Sequence, residues 1–389
     1  MKKFFALILF LVILAAAFSQ TSQHTLVPYR IRNLWGYSDL KGNIVIPTRY
    51  EEAYPFYNGV ATVKSDNHMS IINEDGKVLI PFRYDYISGF TAGVGVASLK
   101  GKWTLIDKRG KELTRKTYDA ITPFAEGMAQ VHSGNKSGFI NEKGVEVIPP
   151  QYDAASSFSQ GMAVVANNNL YGFINEKGNL VVPMQYNAAL SFHEGLALVK
   201  KDSLYGFIHD DGKVAIGFLF QNANYFSEGL AAVMKDDSVG FINTSGETVI
   251  PFHYENANNF REGFSLVKRN GKVGFIDKTG KEIVSPQFDA GNDFSSGMAL
   301  IFSDNIFGVV NTSGQVTMLP HYTNVKDFSE GWAAVQQDGR WGYIDEKGTE
   351  VIPCKYENAD SFINGLALVM KNGQWGFIDK SGKEFFREQ

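Results

Sequence analysis

Short apolar runs separated by polar turns repeat along the chain from about residue 25 onward, with a period of 34 residues. Each period holds three such runs, as in LALVK (196–200), YGFIN (171–175) and LVVP (180–183). They are too short, and too rich in β-branched and aromatic residues, for helices, and they predict strands. Two are joined by five-residue connections such as KNGQW, and a longer loop such as YENADSFINGL leads to the next period. Each module is therefore expected to be a three-stranded antiparallel meander. In GLALV, Leu366 and Leu368 point to one face while Ala367 and Val369 point to the other, and both pairs are apolar. A sheet with one wet face would alternate apolar and polar positions. These sheets must then be covered on both faces by neighbouring modules, stacked about 10 Å apart. An inserted residue would exchange a strand's faces and spoil two interfaces at once, which is why the period does not drift.

Three glycine columns mark the period. The one beginning at Gly42 holds at all eleven stops through Gly382, each after a polar pair and before an apolar run, as a hairpin turn with positive φ requires. A second holds at all ten stops from Gly59 to Gly365. A third begins at Gly36 and is broken only by Ser70 and Thr104. Its small residues suit a close approach between packed sheets. Phenylalanine recurs from Phe56 to Phe362 and predicts a stacked internal ladder. An aromatic holds every stop of the column starting at Tyr50, often with a proline three residues earlier that ends a strand, as at Pro47, Pro81 and Pro353.

The expected fold is all-β: eleven 34-residue three-stranded meanders stacked face to face in an open superhelix with polar end caps. A β-propeller-like ring is the alternative. Propellers usually have four to eight blades of four strands, against eleven modules of three here. The end segments TLVPYRIRN and GKEFFREQ also read as whole, with no half-module awaiting a partner.

The stretches WGYIDEKGTEVIP (341–353), QWGFIDKSGKE and LWGYSDLKGNIVIP resemble the WG repeat, a family of bacterial tandem β-repeats named for its Trp-Gly pair. The resemblance covers about residues 25–389. It implies an exported or envelope-associated protein with a binding or scaffolding role, and it supplies no catalytic residues. Tryptophan precedes the glycine only at Trp35, Trp341 and Trp375; Tyr171, Tyr205, Phe307, Val239 and others fill the slot elsewhere. That spread marks a packing position and not a ligand-stacking one.

The chemistry is sparse. The formal charge is −4, with no run of Lys or Arg that would attract a phosphate backbone, so nucleic acid is not an expected partner. Residues 1–19 read as a signal peptide: Lys2 and Lys3, an apolar stretch from Phe4, then Ala15 to Ala17. The array then occupies residues 20–389 as a protein that is exported to the periplasm, cell surface or medium and is not integral to the membrane once cleaved. Cys354 is the single cysteine, so no intramolecular disulfide is expected, and VIPCKY reads as a strand end. The histidines fall in different columns except His253 and His321, two modules apart and too distant to share a metal ion. NEDGK and HDDGK read as turns and not as calcium loops. The glutamates at 126, 194, 228, 262 and 330 read as a solvated loop face. No metal, cofactor or enzymatic activity is expected.

Two functions remain. One is an envelope binding or scaffold protein that engages a protein or cell-wall polymer through hairpin tips such as SDNH, NNNL and KDDS aligned along one edge. The other is a carbohydrate binder in which Tyr54, Tyr57, Tyr225 and Trp332 stack on sugars. Exposure of those aromatics favours the second reading and burial the first.

Overall fold

The computed structural model describes residues 26–388, so the signal segment read over residues 1–19 lies outside the described residues. Two compact units emerge. The first holds the residues up to Thr117 together with Gly339–Ile344 and Glu350–Gln389, and the second holds Tyr118–Asp338 with Asp345–Thr349.

The all-β expectation holds, and the described residues contain no helix. The strand count per module is corrected. Of eleven sheets among the described residues, nine have four strands. In eight of the nine the fourth is a two-residue strand, mostly hidden in what reads as the connecting loop, and in the ninth it is Ala188–His193; Asn222–Ala223, for example, pairs antiparallel with Leu230–Lys235 through Ala223↔Val233. Connections between the long strands are also tighter than five residues. Leu230–Lys235 and Ser238–Asn243 leave only Asp236 and Asp237 between them, both at positive φ, as a two-residue hairpin demands.

Burial on both faces is confirmed along the long strands. In Leu196–Lys201, Leu196 and Leu198 pack with Phe207, Phe226 and Ile242, while Ala197 and Val199 pack with Phe173, Val182 and Phe192. One strand thus supplies two separate cores. The phenylalanine column is buried at nine of its ten stops, with Phe124 half-buried. It pairs differently from the expected continuous ladder. Seven of the ten rings meet an aromatic of the preceding module's second long strand, as where Phe192 lies 5.1 Å from Phe173 and Phe226 4.8 Å from Phe207; Ile71, Leu105 and Val309 hold that place before Phe90, Phe124 and Phe328.

The glycine of the Trp-Gly column serves a contact within one sheet, not between sheets. In the second unit, Gly172 lies where the pairing slips between Tyr171↔Tyr186 and Phe173↔Val182. A β-carbon there would stand 2.5 Å from the Val182 carbonyl oxygen and 2.9 Å from the Met184 nitrogen. The bulged third strand presses its backbone against the glycine, and Gly36, Gly138 and Gly342 face the same obstruction. In the first unit, Ser70 fits because its hydroxyl donates to the Ile80 carbonyl. At Thr104, whose hydroxyl bonds to that of Thr114 at 2.6 Å, the sheet has only three strands. Gly172→Ala is accordingly expected to cost about 1–3 kcal/mol as overpacking. It should also raise hydrogen exchange along Leu180–Tyr186. Unchanged exchange there would remove the bulge from this account.

The open superhelix with capped ends is overturned within the first unit. The strand Val27–Ile31 pairs with Leu34–Ser38 on one side and, in parallel, with Phe386–Arg387 on the other, giving one sheet built from both ends of the array. The Arg30 amide donates to the Phe385 carbonyl at 3.1 Å and the Arg32 amide to the Arg387 carbonyl at 2.9 Å. Arg30 is 2% exposed. Its guanidinium donates to the Trp375 carbonyl at 2.7 Å and to Glu388 at 3.1 Å, and also bonds the Arg32 carbonyl and Gln374. It lies 5.3 Å from the centre of the Phe386 ring. Val27, Tyr29, Leu366, Phe377 and Phe385 form one apolar cluster across this junction. The end segment GKEFFREQ, which reads as whole from sequence, thus supplies the short fourth strand of the N-terminal sheet. Joined ends of this kind belong to the propeller-like alternative, and an open stack has no place for them.

Candidate functional site

Two periodic sets of side chains fix the loops before any recognition is possible. The first is the glutamate column read from sequence as a solvated face. In the second unit, Glu194 accepts from the Gly229 amide at 2.8 Å and Glu228 from the Gly263 amide at 2.9 Å. Glu126 accepts from Gln160 and Gly161, and Glu262 from Ser296 and Gly297, all at 2.7–2.9 Å. Each carboxylate thus holds the two-residue turn of the following module. Gln160 does the same for Gly195 at 2.9 Å. Glu194→Ala should therefore cost about 1 kcal/mol and deprotect the Gly229 amide, while Glu194→Gln should do neither. Equal protection in both variants would deny the turn its tie.

The second set, not singled out from sequence, follows the Tyr50 column. Asp153 accepts from the Asn168 amide at 2.8 Å, Asn187 from Asp202 at 2.7 Å and Asp289 from Asp304 at 3.0 Å. The Lys136 ammonium beside Asp153 holds its carboxyl below the usual carboxylate range. An acidic or amide residue right after the aromatic was visible in sequence, but its target lies 15 residues on, across a turn.

These ties change the standing of the hairpin tips. Asn168, Asn169, Asp202, Asp236, Asp237 and Asn305 all have φ between 50° and 64°, where Asn, Asp and Gly are favoured. Backbone geometry accounts for their identity. The segment between the short strand and the glutamate turn is not under this positive-φ restriction; Ser159, Ser227 and Ser295 donate to the next module's phenylalanine carbonyl, and other side chains in it vary. In the second unit one position in this loop runs Ser191, Tyr225, Asn259, Asp293, Asp327, and the position two residues on runs His193, Ser227, Arg261, Ser295.

Tyr225 is 37% exposed and stacks on His193, with ring centroids 4.1 Å apart and planes inclined by 23°. In the three modules that follow, Asn258, Arg261, Asn292, Asp293, Ser295 and Asp327 line a polar depression of about 360 Å³. Inside it Asn258 donates to Asp293 at 2.8 Å and Asn292 to Asp327 at 2.7 Å. Asn259, in the column between Tyr225 and Asp293, has a buried carboxamide oxygen without a hydrogen-bond partner among the described residues.

The other aromatics are placed differently. Tyr54, in the first unit, is half-buried and donates to Glu52 at 2.9 Å; burial and then the Glu52 charge push its phenol well above the usual range. Tyr57 is half-buried in the turn that follows it. Trp332, in the second unit, is half-buried at the start of the strand Trp332–Gln337 and lies three modules from Tyr225. Only Tyr225 combines exposure with a neighbouring polar site. Among the described residues no group of three His, Cys, Asp or Glu side chains could hold a metal ion, and no helix is long and apolar enough to cross a membrane.

No curated protein matches the chain. Among solved structures, a eukaryotic initiation factor is similar over 77% of this chain and 97% of its own, at 12% identity and a TM-score of 0.40. BamB from Moraxella catarrhalis is similar over 74% and 90%, at 12% identity and a TM-score of 0.32. PorZ of Porphyromonas gingivalis, described as a bacterial surface component of the type-IX secretion system, is similar over 92% and 60%, at 9% identity and a TM-score of 0.27. Likenesses this distant carry no argument about function. The repeat itself is decisive: ten consecutive stretches, from 35–67 and 69–103 through 307–341 and 341–375, match the WG containing repeat. With ten matched units, each carrying glycine or a small residue at the Trp-Gly position, the chain belongs to the WG containing repeat family.

Proposed function

We propose that this chain is a non-enzymatic binding protein of the bacterial cell envelope or exterior, which engages an envelope protein or polysaccharide through the variable loop row of its second unit. The observation that carries the reading is a loop backbone held alike from module to module by the Glu194-type ties, with side chains as different as Tyr225, Asn259 and Asp293 at one position. A fixed frame with interchangeable side chains suits recognition by several moderate contacts in a row. Export rests on the signal-like character of residues 1–19. Recognition moves from the hairpin tips of the sequence reading to this loop row, because positive φ already explains the residues at the tips.

The test is co-sedimentation of residues 20–389 with isolated envelope fragments. A variant with Tyr225, Asn258, Asp293 and Asp327 all changed to Ser should lose binding while keeping its β-sheet circular dichroism. A tip variant, Asp236→Asn with Asp237→Gly, should bind like the parent. Binding lost by the tip variant and kept by the loop variant would reverse the assignment.

A further inference from the structure

The loop row of the second unit carries a more specific assignment, which rests on the binding reading above. At one end stands an exposed tyrosine ring braced from behind by His193. At the other, amide donors, carboxylate acceptors and a guanidinium share one small depression. Arg261 is exposed and lines the depression. Asp293 and Asp327 each give one oxygen to an asparagine amide, which orients the carboxylate and leaves its remaining lone pairs available.

The chemistry narrows the ligand. A metal ion is disfavoured because the two carboxylates are already tied to amides and share the depression with a guanidinium. An anionic ligand would meet two carboxylates against one cation. An apolar ligand finds a lining of Asn, Asp, Ser and Arg. What fits is an uncharged group presenting many hydroxyls, each able both to donate to Asp and to accept from Asn or Arg, joined to a ring with an apolar face that can lie on tyrosine. The depression draws on the three modules that follow the one carrying Tyr225, a span suited to several linked rings and not to one.

We infer that this row binds a neutral carbohydrate chain, with Tyr225 as the stacking platform and Asn258, Arg261, Asp293 and Asp327 reading hydroxyls at the depression. The site takes a polymer lengthwise, and its affinity is the sum of separate contacts.

The test is native gel electrophoresis of residues 20–389 through gels holding dextran, mannan or xylan as neutral probes, with polygalacturonate as the acidic one. Retardation by at least one neutral polymer and none by polygalacturonate is expected. Tyr225→Ala should weaken it roughly fivefold or more. Arg261→Ala and Asp293→Ala should weaken it as well, and Lys213→Ala, on an exposed turn outside the row, should leave it unchanged. Thermal melts of each variant separate lost binding from lost fold. No retardation by any neutral polymer, retardation by polygalacturonate alone, or retardation indifferent to Tyr225 and Asp293 would overturn the carbohydrate assignment. If that failed while envelope co-sedimentation still depended on the same residues, the binding reading would survive with a protein as its partner.

Discussion

Removing residues 385–389 is expected to cost about 5 kcal/mol or more, since it strips two buried phenylalanines from a packed sheet and each such loss is worth about 3–5 kcal/mol. Phe385 is fully buried and Phe386 is 5% exposed. The deletion also takes Glu388 and the ring face from Arg30, whose guanidinium is otherwise surrounded. A buried charge that loses its partners adds to the loss. Urea unfolding should show an early transition, and exchange at the Arg30 and Arg32 amides, whose acceptors are the Phe385 and Arg387 carbonyls, should rise toward that of an open strand edge. The single change Glu388→Gln should cost less than the deletion, because the carboxamide keeps an acceptor for Arg30 and the Trp375 carbonyl and Phe386 ring remain. An unchanged unfolding midpoint after the deletion would mean that the joined sheet is not what holds the two ends.

Phe192→Ala is expected to cost about 3–5 kcal/mol, as a large-to-small change in a closed core. The ring is 1% exposed, packs edge-on against Phe173 and touches a cluster that includes Val182, Tyr186 and Val199. The Phe173–Phe192 pair joins two successive sheets, so the damage should appear as deprotection of Leu170–Asn175 and Leu196–Lys201 together. Phe192→Leu should recover much of the stability, because volume is what the site needs. Loss confined to one of the two strands would contradict the reading that the pair joins two sheets.

Much of this architecture was legible because it is periodic. The Gly42 column, the Phe56 column and the two apolar faces of GLALV each state one physical requirement many times over, and the structure meets them. What escaped has no periodicity of its own. A two-residue strand such as Asn222–Ala223 is too short to show alternation, so it reads as loop. The pairing of Phe386 with Arg30 joins residues whose adjacency no local pattern encodes. The glutamate ties were visible as a column, but a carboxylate that reaches 35 residues ahead looks the same in sequence as one that faces water. The depression around Asp293 was missed for a related reason: its residues come from three modules and share no motif. Of the aromatics proposed from sequence, Tyr225 stands beside it in the row, whereas Tyr54 is committed to Glu52.

The joined sheet also sets an order of events during synthesis. Ties between neighbouring modules span 34 or 35 residues, as between Glu126 and Gln160 or Gly161, whereas Arg30 and Glu388 are 358 apart. Tenfold longer separation adds about 2 kcal/mol of chain entropy to a closure, which is modest, but the timing is absolute. A growing chain can lay down module upon module, yet Val27–Ile31 keeps one bare edge until Phe386 and Arg387 have been made. Any chain that stops short of them leaves the polar edge of that strand unpaired and the apolar side chains Val27 and Tyr29 without their cover. A chain cut before Phe386 would therefore present an unpaired strand edge that the joined sheet covers.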